Sequence, residues 1–296
     1  DLGSYKGGAW VMSAREMQGT HTSTWCMGCG NFGIFHALKN VLATLSANDT
    51  VLVTGIGCSS KIAQYVNGYR VESLHGRSLP VATGVKLANH HLTVIAEGGD
   101  GDGMGLGMGH FVHTARRNLD ISYFVHNNQI YGLTKGQASP TTDLGTVTKF
   151  TPPPLGNVEK PVNIAHTALS MGATFVARTF TANVPHMTEM MAAAVAHRGF
   201  AVVEILQPCV SFNAVNTYAW YKQRVRDLKE MDEYDPENQE KALALAALWG
   251  DIIPIGLFYK ESRPTFDGAL PQLQAGPLVE ANLQQVDITP LMQEFV

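Results

Sequence analysis

The sequence predicts an α/β fold built on a mainly parallel sheet with helices on both faces. Two observations carry this: buried-strand patterns alternate with helical ones from residue 31 to 209, and the strands break off into loops rich in glycine and polar residues. Strands read as continuous apolar runs when helices cover both faces of a parallel sheet. In such sheets ligands bind outside the carboxyl ends of the strands, so the loops that follow them are where chemistry is sought.

Residues 1–23 contain glycine and serine without clear periodicity and read as an arm lying on something larger. From 31 to 46, NFGIFHALKNVLATLS places Phe35, Leu38, Leu42 and Leu45 at spacings of three and four, the stripe of a helix packed on a core. DTVLVTGIGC is apolar from Val51 to Val53 and breaks into Gly55, Gly57 and Cys58, a strand ending in a loop. HLTVIAEGGDGDG (91–103) is a strand entering a glycine-rich loop, LGMGHFVHTARRN (106–118) a helix, and ISYFVHNNQIYG (121–132) a strand with a loop at its carboxyl end. Further on, 164–172 and 183–199 read as helices, 172–180 and 200–209 as strands, and the proline-rich stretch 146–163 as a long loop. The expected division is an arm (1–23), a domain (24–228) and a tail (229–296) that turns charged, then helical, then proline-rich, and packs on the domain or on a partner chain.

With 296 residues, 45% of them apolar, the chain can bury a sizeable core. A net charge of -4, a pI near 6.3 and no long run of lysine or arginine leave no electrostatic footprint for nucleic acid. No apolar run approaches the ~20 residues of a membrane span, and the start, DLGSYKGGAW, lacks a signal pattern, so a soluble, cytoplasmic protein is expected. In that compartment thiols stay reduced, and the four cysteines are better material for a metal or for catalysis than for disulfides.

Two groups of residues could carry chemistry. Gly99-Asp100-Gly101 after one strand and Asn127-Asn128 after the next match the pattern by which thiamine diphosphate is held through a divalent cation. A hard cation such as Mg²⁺ takes oxygens from Asp and Asn side chains, a backbone carbonyl and phosphates, while glycines let the backbone approach the phosphates. The plain alternative is a Gly/Asp turn with an unrelated Asn pair in the next loop. A P-loop is excluded, since no GxxxxGK[ST] occurs. The second group is Cys26 and Cys29 as CxxC, Cys58 in GIGCSS and Cys209 in LQPCVS. Four thiolates suit tetrahedral zinc or a [4Fe-4S] cluster. Structural zinc sites come as two short knuckles, whereas here one pair and two distant single cysteines come from different elements; both readings stay open, as does a redox dithiol for the pair.

WCMGCGNFGI, GIGCSSKI, SLHGRSLPVATGVKLAN, GDGDG, NNQIYGLTKGQASPT and LQPC, in this order, resemble the beta subunit of the two-subunit 2-oxoacid:ferredoxin oxidoreductases, over residues 24 to 228. The resemblance implies a thiamine diphosphate-binding fold and a [4Fe-4S] cluster on Cys26, Cys29, Cys58 and Cys209. It implies Mg²⁺ on the side chains of Asp100 and Asn128 and the carbonyl of Ile130. Gly101, Asp102, Gly132, Leu133 and Thr134 would meet the diphosphate end of the cofactor; Ile56, Gly57, Cys58, Ser59 and His75 would lie along it. Lys61, Lys135 and His75 would act near the reacting 2-oxoacid. The departures are Met27, where proline is common, and Asn127, where Asp is frequent; neither removes a ligand.

The implied reaction is coenzyme A-dependent oxidative decarboxylation of a 2-oxoacid, with electrons leaving through the cluster to ferredoxin, and the same site could run in reverse against a strongly reducing ferredoxin. Thiamine activation also needs a Glu from a pyrimidine-binding domain for which this chain has no room, so an alpha subunit and an (αβ)₂ heterotetramer are expected. The lysine-bearing motifs look closest to members acting on 2-oxoglutarate, with pyruvate or a broad 2-oxoacid range as the alternative. A zinc-stabilised module without catalysis, or a thiamine decarboxylase without electron transfer, would give a colourless protein or an activity indifferent to Cys26.

Overall fold

The structure, a computed structural model, describes residues 4–6, 9–232, 234–282 and 286–295. A hairpin of β1 (Ser4–Lys6) and β2 (Ala9–Val11) opens the chain. Then come α1 (Asn31–Leu42), β3 (Thr50–Thr54), α2 (Ile62–Tyr65), β4 (Tyr69–Glu72), α3 (Ser78–Ala88) and β5 (Thr93–Gly99). A π-helical turn, Gly101–Leu106, leads into α4 (Met108–Arg117) and β6 (Ser122–Asn127), followed by the small hairpin of β7 (Ile130–Tyr131) and β8 (Gln137–Ala138). After the proline-rich loop come α5 (Ile164–Ser170), β9 (Phe175–Phe180), α6 (Val184–Ala196), β10 (Ala201–Leu206), α7 (Tyr218–Arg224), β11 (Val225–Asp227), α8 (Gln239–Ala246) and β12 (Ile253–Lys260).

Eight strands form one sheet in the order β11-β12-β9-β10-β6-β5-β3-β4. From β9 to β4 every pairing is parallel; β12 joins β9 antiparallel, with β11 parallel to it at the edge. The strands alternate between two cores. In β6, Tyr123 and Val125 enter a core shared with Phe111, Ala168 and Phe200, while Phe124 enters the opposite one with Ile34, Leu38, Met187 and Met191. Burial on both faces is the physical reason for the unbroken apolar runs in the sequence. Helices α5 and α6 start where Asn163 and Asn183 accept the amides of His166 and His186, capping otherwise unpaired donors.

Two expectations need adjusting. The helix expected over 106–118 begins at Met108, because the glycines of Gly101–Leu106 form a wide turn that brings backbone to the strand end. The segment expected as a tail does more than pack on the domain: β12 is a full strand of the sheet, hidden in the sequence by Pro254 and Gly256. Proline is tolerated there because Pro254 faces only the short edge strand β11, and a bulge lies between Leu257 and Tyr259. In the arm, residues 1–3 and 7–8 lie outside the described residues, while Met12 and Met17 are buried in the core around α1.

Candidate functional site

The carboxyl ends of β10, β6, β5 and β3 are neighbours in the sheet, so the loops that follow them meet. Beyond β3, β5 and β6 lies a cleft of about 470 Å³. It is lined by Ile56, Gly57, Cys58, Ser59, His75, Gly101, Asp102, Gly132, Leu133 and Thr134, together with Asp100, Asn128 and Ile130. The structure thus brings into one cleft every residue expected along thiamine or its cation.

Asp100 directly follows β5 and is 1% exposed. Its Oδ2 accepts from Ser139 Oγ and Thr141 Oγ1, both at 2.5 Å, and its Oδ1 from the Asn128 amide at 3.4 Å. Burial pushes its carboxyl upward from the usual range, against these hydrogen bonds. All of these partners are neutral, so an ionised Asp100 would gain from a cation beside it. Asn128 Oδ1 accepts from the Ile130 amide at 3.0 Å, which holds the asparagine and the Ile130 backbone together. A hard cation finds its kind of donor here, carboxylate, amide oxygen and carbonyl on one wall.

Asp102 points differently. Its Oδ1 accepts from the amides of Gly76 at 2.7 Å and Ile56 at 3.1 Å and lies 2.9 Å from His75 Nδ1. Burial raises its carboxyl too, with the Gly76 and Ile56 amides and then His75 opposing. The carboxylate therefore clamps three loops, leaving the backbone of its glycine-rich turn to face the cleft. Glycine is required at 101, where a Cβ would stand 2.2 Å from the Tyr131 ring.

The four cysteines surround a second cavity, of about 700 Å³, at the end of β10. Cys26 is exposed and the other three are half-buried; Met27, between the paired cysteines, is 96% exposed. Burial pushes the Cys29 thiol up to about 11, and the thiols of Cys58 and Cys209 upward, with Lys61 working against burial at Cys58. Among the described residues no three His, Cys, Asp or Glu side chains converge closely enough to hold a single metal ion. Trp25 Nε1 donates to the Cys58 carbonyl at 2.7 Å, linking the CxxC to the third cysteine's loop. Cys58, Asn128, Gly132 and Leu133 line both cavities and form their common wall. Lys61 and Lys135 line the cysteine cavity rather than the cleft, Lys61 donating to Thr24 Oγ1 at 3.2 Å; of the three residues expected near the substrate, only His75 lines the cleft.

Several residues at the site carry no sequence expectation of a role. Ser139 and Thr141 stand inside NNQIYGLTKGQASPT but are recognised only through their bonds to Asp100. Behind the loops, the buried His126 joins Asn31 Oδ1 at 2.9 Å and approaches Glu97 Oε2 at 3.3 Å, connecting the start of α1 with β6 and β5.

A mainly parallel sheet with a glycine-rich turn and an Asp–Asn pair at its strand ends defines a thiamine diphosphate-type domain. Residues 55–205 match the family model of the thiamine pyrophosphate enzyme C-terminal TPP binding domain, and residues 209–275 match that of the C-terminal part of the pyruvate ferredoxin oxidoreductase beta subunit. The 2-oxoacid:ferredoxin oxidoreductase 1 subunit beta of Aeropyrum pernix is 45% identical over 262 residues, 84% of this chain and 82% of that protein. The 2-oxoglutarate synthase subunit KorB of Archaeoglobus fulgidus is 42% identical over 220 residues, 72% of this chain and 81% of that protein. Among solved structures, a 2-oxoglutarate:ferredoxin oxidoreductase from Magnetococcus marinus, bound to 2-oxoglutarate, coenzyme A and succinyl-CoA, superimposes with a TM-score of 0.87 at 35% identity, covering 96% of both chains. The chain belongs to the beta subunits of the 2-oxoacid:ferredoxin oxidoreductases and is part of that enzyme, which implies an alpha subunit. No helix among the described residues is long and apolar enough to cross a membrane.

Proposed function

We propose that this subunit binds thiamine diphosphate through Mg²⁺ in the cleft and a [4Fe-4S] cluster in the cysteine cavity. With its alpha partner it would convert a 2-oxoacid, coenzyme A and oxidised ferredoxin to an acyl-CoA, carbon dioxide and reduced ferredoxin. The observation that supports this reading is the shared wall of Cys58, Asn128, Gly132 and Leu133, by which the cavity lined by the four cysteines adjoins the cleft. Gly132 keeps that wall thin: a Cβ there would lie 3.5 Å from Cys209 Sγ and 3.7 Å from Cys58 Sγ. Thiolates arranged around a cavity suit a polynuclear group better than zinc, which draws each sulfur to about 2.3 Å from one point.

Bound in these places, thiamine diphosphate supplies a carbon nucleophile and electron sink for loss of carbon dioxide, and the cluster a one-electron acceptor. The chain's own residues bind and orient. Asp100, Asn128 and the Ile130 carbonyl would hold the cation, and the turn at Gly101 would present backbone to the diphosphate. His75, fixed by Asp102, faces the cleft. Lys61 and Lys135 line the cysteine cavity beside the shared wall, where their positive charge would balance thiolates and could pair with a second substrate carboxylate. Both carboxylates lining the cleft are engaged, Asp100 by hydroxyls and Asp102 by amides, so the Glu that activates the aminopyrimidine would come from the alpha subunit in an (αβ)₂ assembly.

2-Oxoglutarate is the first choice of substrate, supported by the named specificity of the Archaeoglobus relative and of the solved structure. A broad 2-oxoacid or pyruvate activity is the second reading, favoured by the general name of the Aeropyrum relative and by the pyruvate family matched at residues 209–275. Anaerobic purification with the alpha subunit, then iron analysis and kcat/KM for both acids, tests all of this. About four irons per beta chain and a preference for 2-oxoglutarate are expected. One zinc and no thiamine would refute the enzyme site; a pyruvate preference would refute the substrate.

A further inference from the structure

Gln207 lines the cysteine cavity and is bonded to Asn128 in the wall that this cavity shares with the cleft. It follows β10 directly, before Pro208 and Cys209, and is 1% exposed. Its backbone N–H donates to the Asn127 carbonyl at 2.9 Å. Its stem passes Gly30 so closely that a Cβ at 30 would lie 2.6 Å from Gln207 Cγ. Held in this way, the side-chain amide makes one contact on each side. Oε1 accepts from Asn128 Nδ2 at 3.3 Å, and Nε2 donates to Cys29 Sγ at 3.4 Å, with the Pro208 carbonyl also 3.4 Å away. This orientation alone pairs donors with acceptors at both ends. A cysteinate sulfur can only accept, and Asn128 presents its Nδ2 because its Oδ1 is turned to the Ile130 amide.

We propose that Gln207 is a positioning residue that relays occupation of the cation site in the thiamine cleft to the reduction potential of the four-cysteine site. This rests on the reading of those two sites given above. A hydrogen bond from a neutral amide to a cysteinate sulfur favours the more negative, reduced state, and such bonds are among the factors that set the potential of iron–sulfur sites. At the other end, a cation at Asn128 Oδ1 withdraws electron density from that amide and strengthens Nδ2 as a donor to Gln207. Linked hydrogen bonds polarise one another in a buried, low-dielectric setting, so Gln207 Nε2 becomes a stronger donor to Cys29 in turn. The sign follows from the chain of dipoles: filling the cation site raises the potential of the thiolate site. Electron uptake is then favoured when the cofactor is in place.

The test uses the anaerobic complex with its alpha partner as wild type, Gln207→Leu and Gln207→Glu. Iron per chain is counted first, and the midpoint potential is then read by EPR-monitored redox titration with and without thiamine diphosphate and Mg²⁺. In loaded Gln207→Leu, reduction is expected to be about tenfold less favourable than in wild type, a drop of about 59 mV for a one-electron couple. Loading should raise the potential of wild type and leave that of the variant where it was. Gln207→Glu keeps the shape but turns an oxygen toward the sulfur; it should lower the potential at least as far, and it carries the test if the leucine variant does not assemble its iron site. Potentials that coincide at full iron content, or a loading shift that survives in the variants, would overturn the relay. A wild-type complex without iron would overturn the proposed function and the relay together.

Discussion

The indole N–H of Trp25 donates to the carbonyl of Cys58 at 2.7 Å, and this bond is the stitch between the CxxC and the loop of the third cysteine. The ring sits edge-on among Phe32, Phe35 and Tyr65, with centroids 5.4, 5.9 and 4.8 Å away, and is 8% exposed. Trp25→Phe preserves that aromatic packing and leaves the carbonyl without its donor. Stability is expected to fall by about 1–3 kcal/mol, and the iron of the proposed cluster to leave faster under a chelator. Thermal unfolding and a chelation time course measure the two effects; an iron release rate equal to wild type would mean that the stitch does not hold the cysteines.

The Tyr131 ring packs directly on Gly101 and leaves no room for a side chain there. An alanine at 101 would place its Cβ 2.2 Å from the Tyr131 ring, while the tyrosine hydroxyl donates to the Gly101 carbonyl at 3.1 Å. Overpacking of this kind costs about 1–3 kcal/mol, and here it would push the turn that faces the cleft. Gly101→Ala should therefore weaken thiamine diphosphate binding at least tenfold while the chain still folds. Adding Tyr131→Leu should restore part of the lost stability, because the clash is then gone. A double-mutant cycle of melting temperatures decides this: strictly additive losses would exclude the clash as the cause.

Strands β3, β5, β6, β9 and β10 are legible in the sequence for the reason that makes them stable. Each is buried on both faces, so its apolar run is unbroken, and glycines or asparagines mark where β3, β5 and β6 end, whereas the edge strand β4 is exposed and leaves no such run. The cleft is legible because its residues follow those ends. β12 is not, since Pro254 and Gly256 read as loop until the sheet edge beside them is known. Nor are Ser139, Thr141 and Gln207, which have no periodicity and gain meaning only from partners supplied by other loops. A motif match expects Lys61 and Lys135 near the substrate; both line the cysteine cavity, which shares a wall with the cleft.

Ser139 and Thr141 together hold one oxygen of Asp100. A hydrogen bond to a charged group contributes about 1.5–3 kcal/mol. Without one of these donors the buried carboxylate is less favourable, and its proton competes better with a cation. Thr141→Val keeps the shape of the side chain and removes its hydroxyl. The Mg²⁺ concentration needed for half-maximal thiamine diphosphate binding is expected to rise about tenfold, and further in Ser139→Ala/Thr141→Val. A cofactor-fluorescence titration against Mg²⁺ reads this, and an unchanged midpoint in the double variant would remove the hydroxyls from the cation site.

Arg178 and Glu204 form a fully buried ion pair, Nε to Oε2 at 2.8 Å, on the adjacent strands β9 and β10. The other carboxylate oxygen accepts from Asn127 Nδ2 at 2.7 Å, next to the asparagine expected to hold the cation. The guanidinium continues outward to the Pro254 carbonyl and Asn163 Oδ1, both at 3.3 Å, so four strands and the start of α5 meet on one charge pair. Removing one partner strands the other charge in the core, and Glu204→Gln is expected to cost about 3–5 kcal/mol. Replacing both, as Arg178→Met/Glu204→Met, removes the stranded charge and should regain most of that loss in denaturant unfolding. It should not regain Mg²⁺ affinity, because Asn127 Nδ2 still lacks its acceptor and the turn into Asn128 is no longer held. Stability and cation binding therefore separate in the double variant; if Mg²⁺ affinity returned along with stability, Glu204 would be a packing element and not a support of the site.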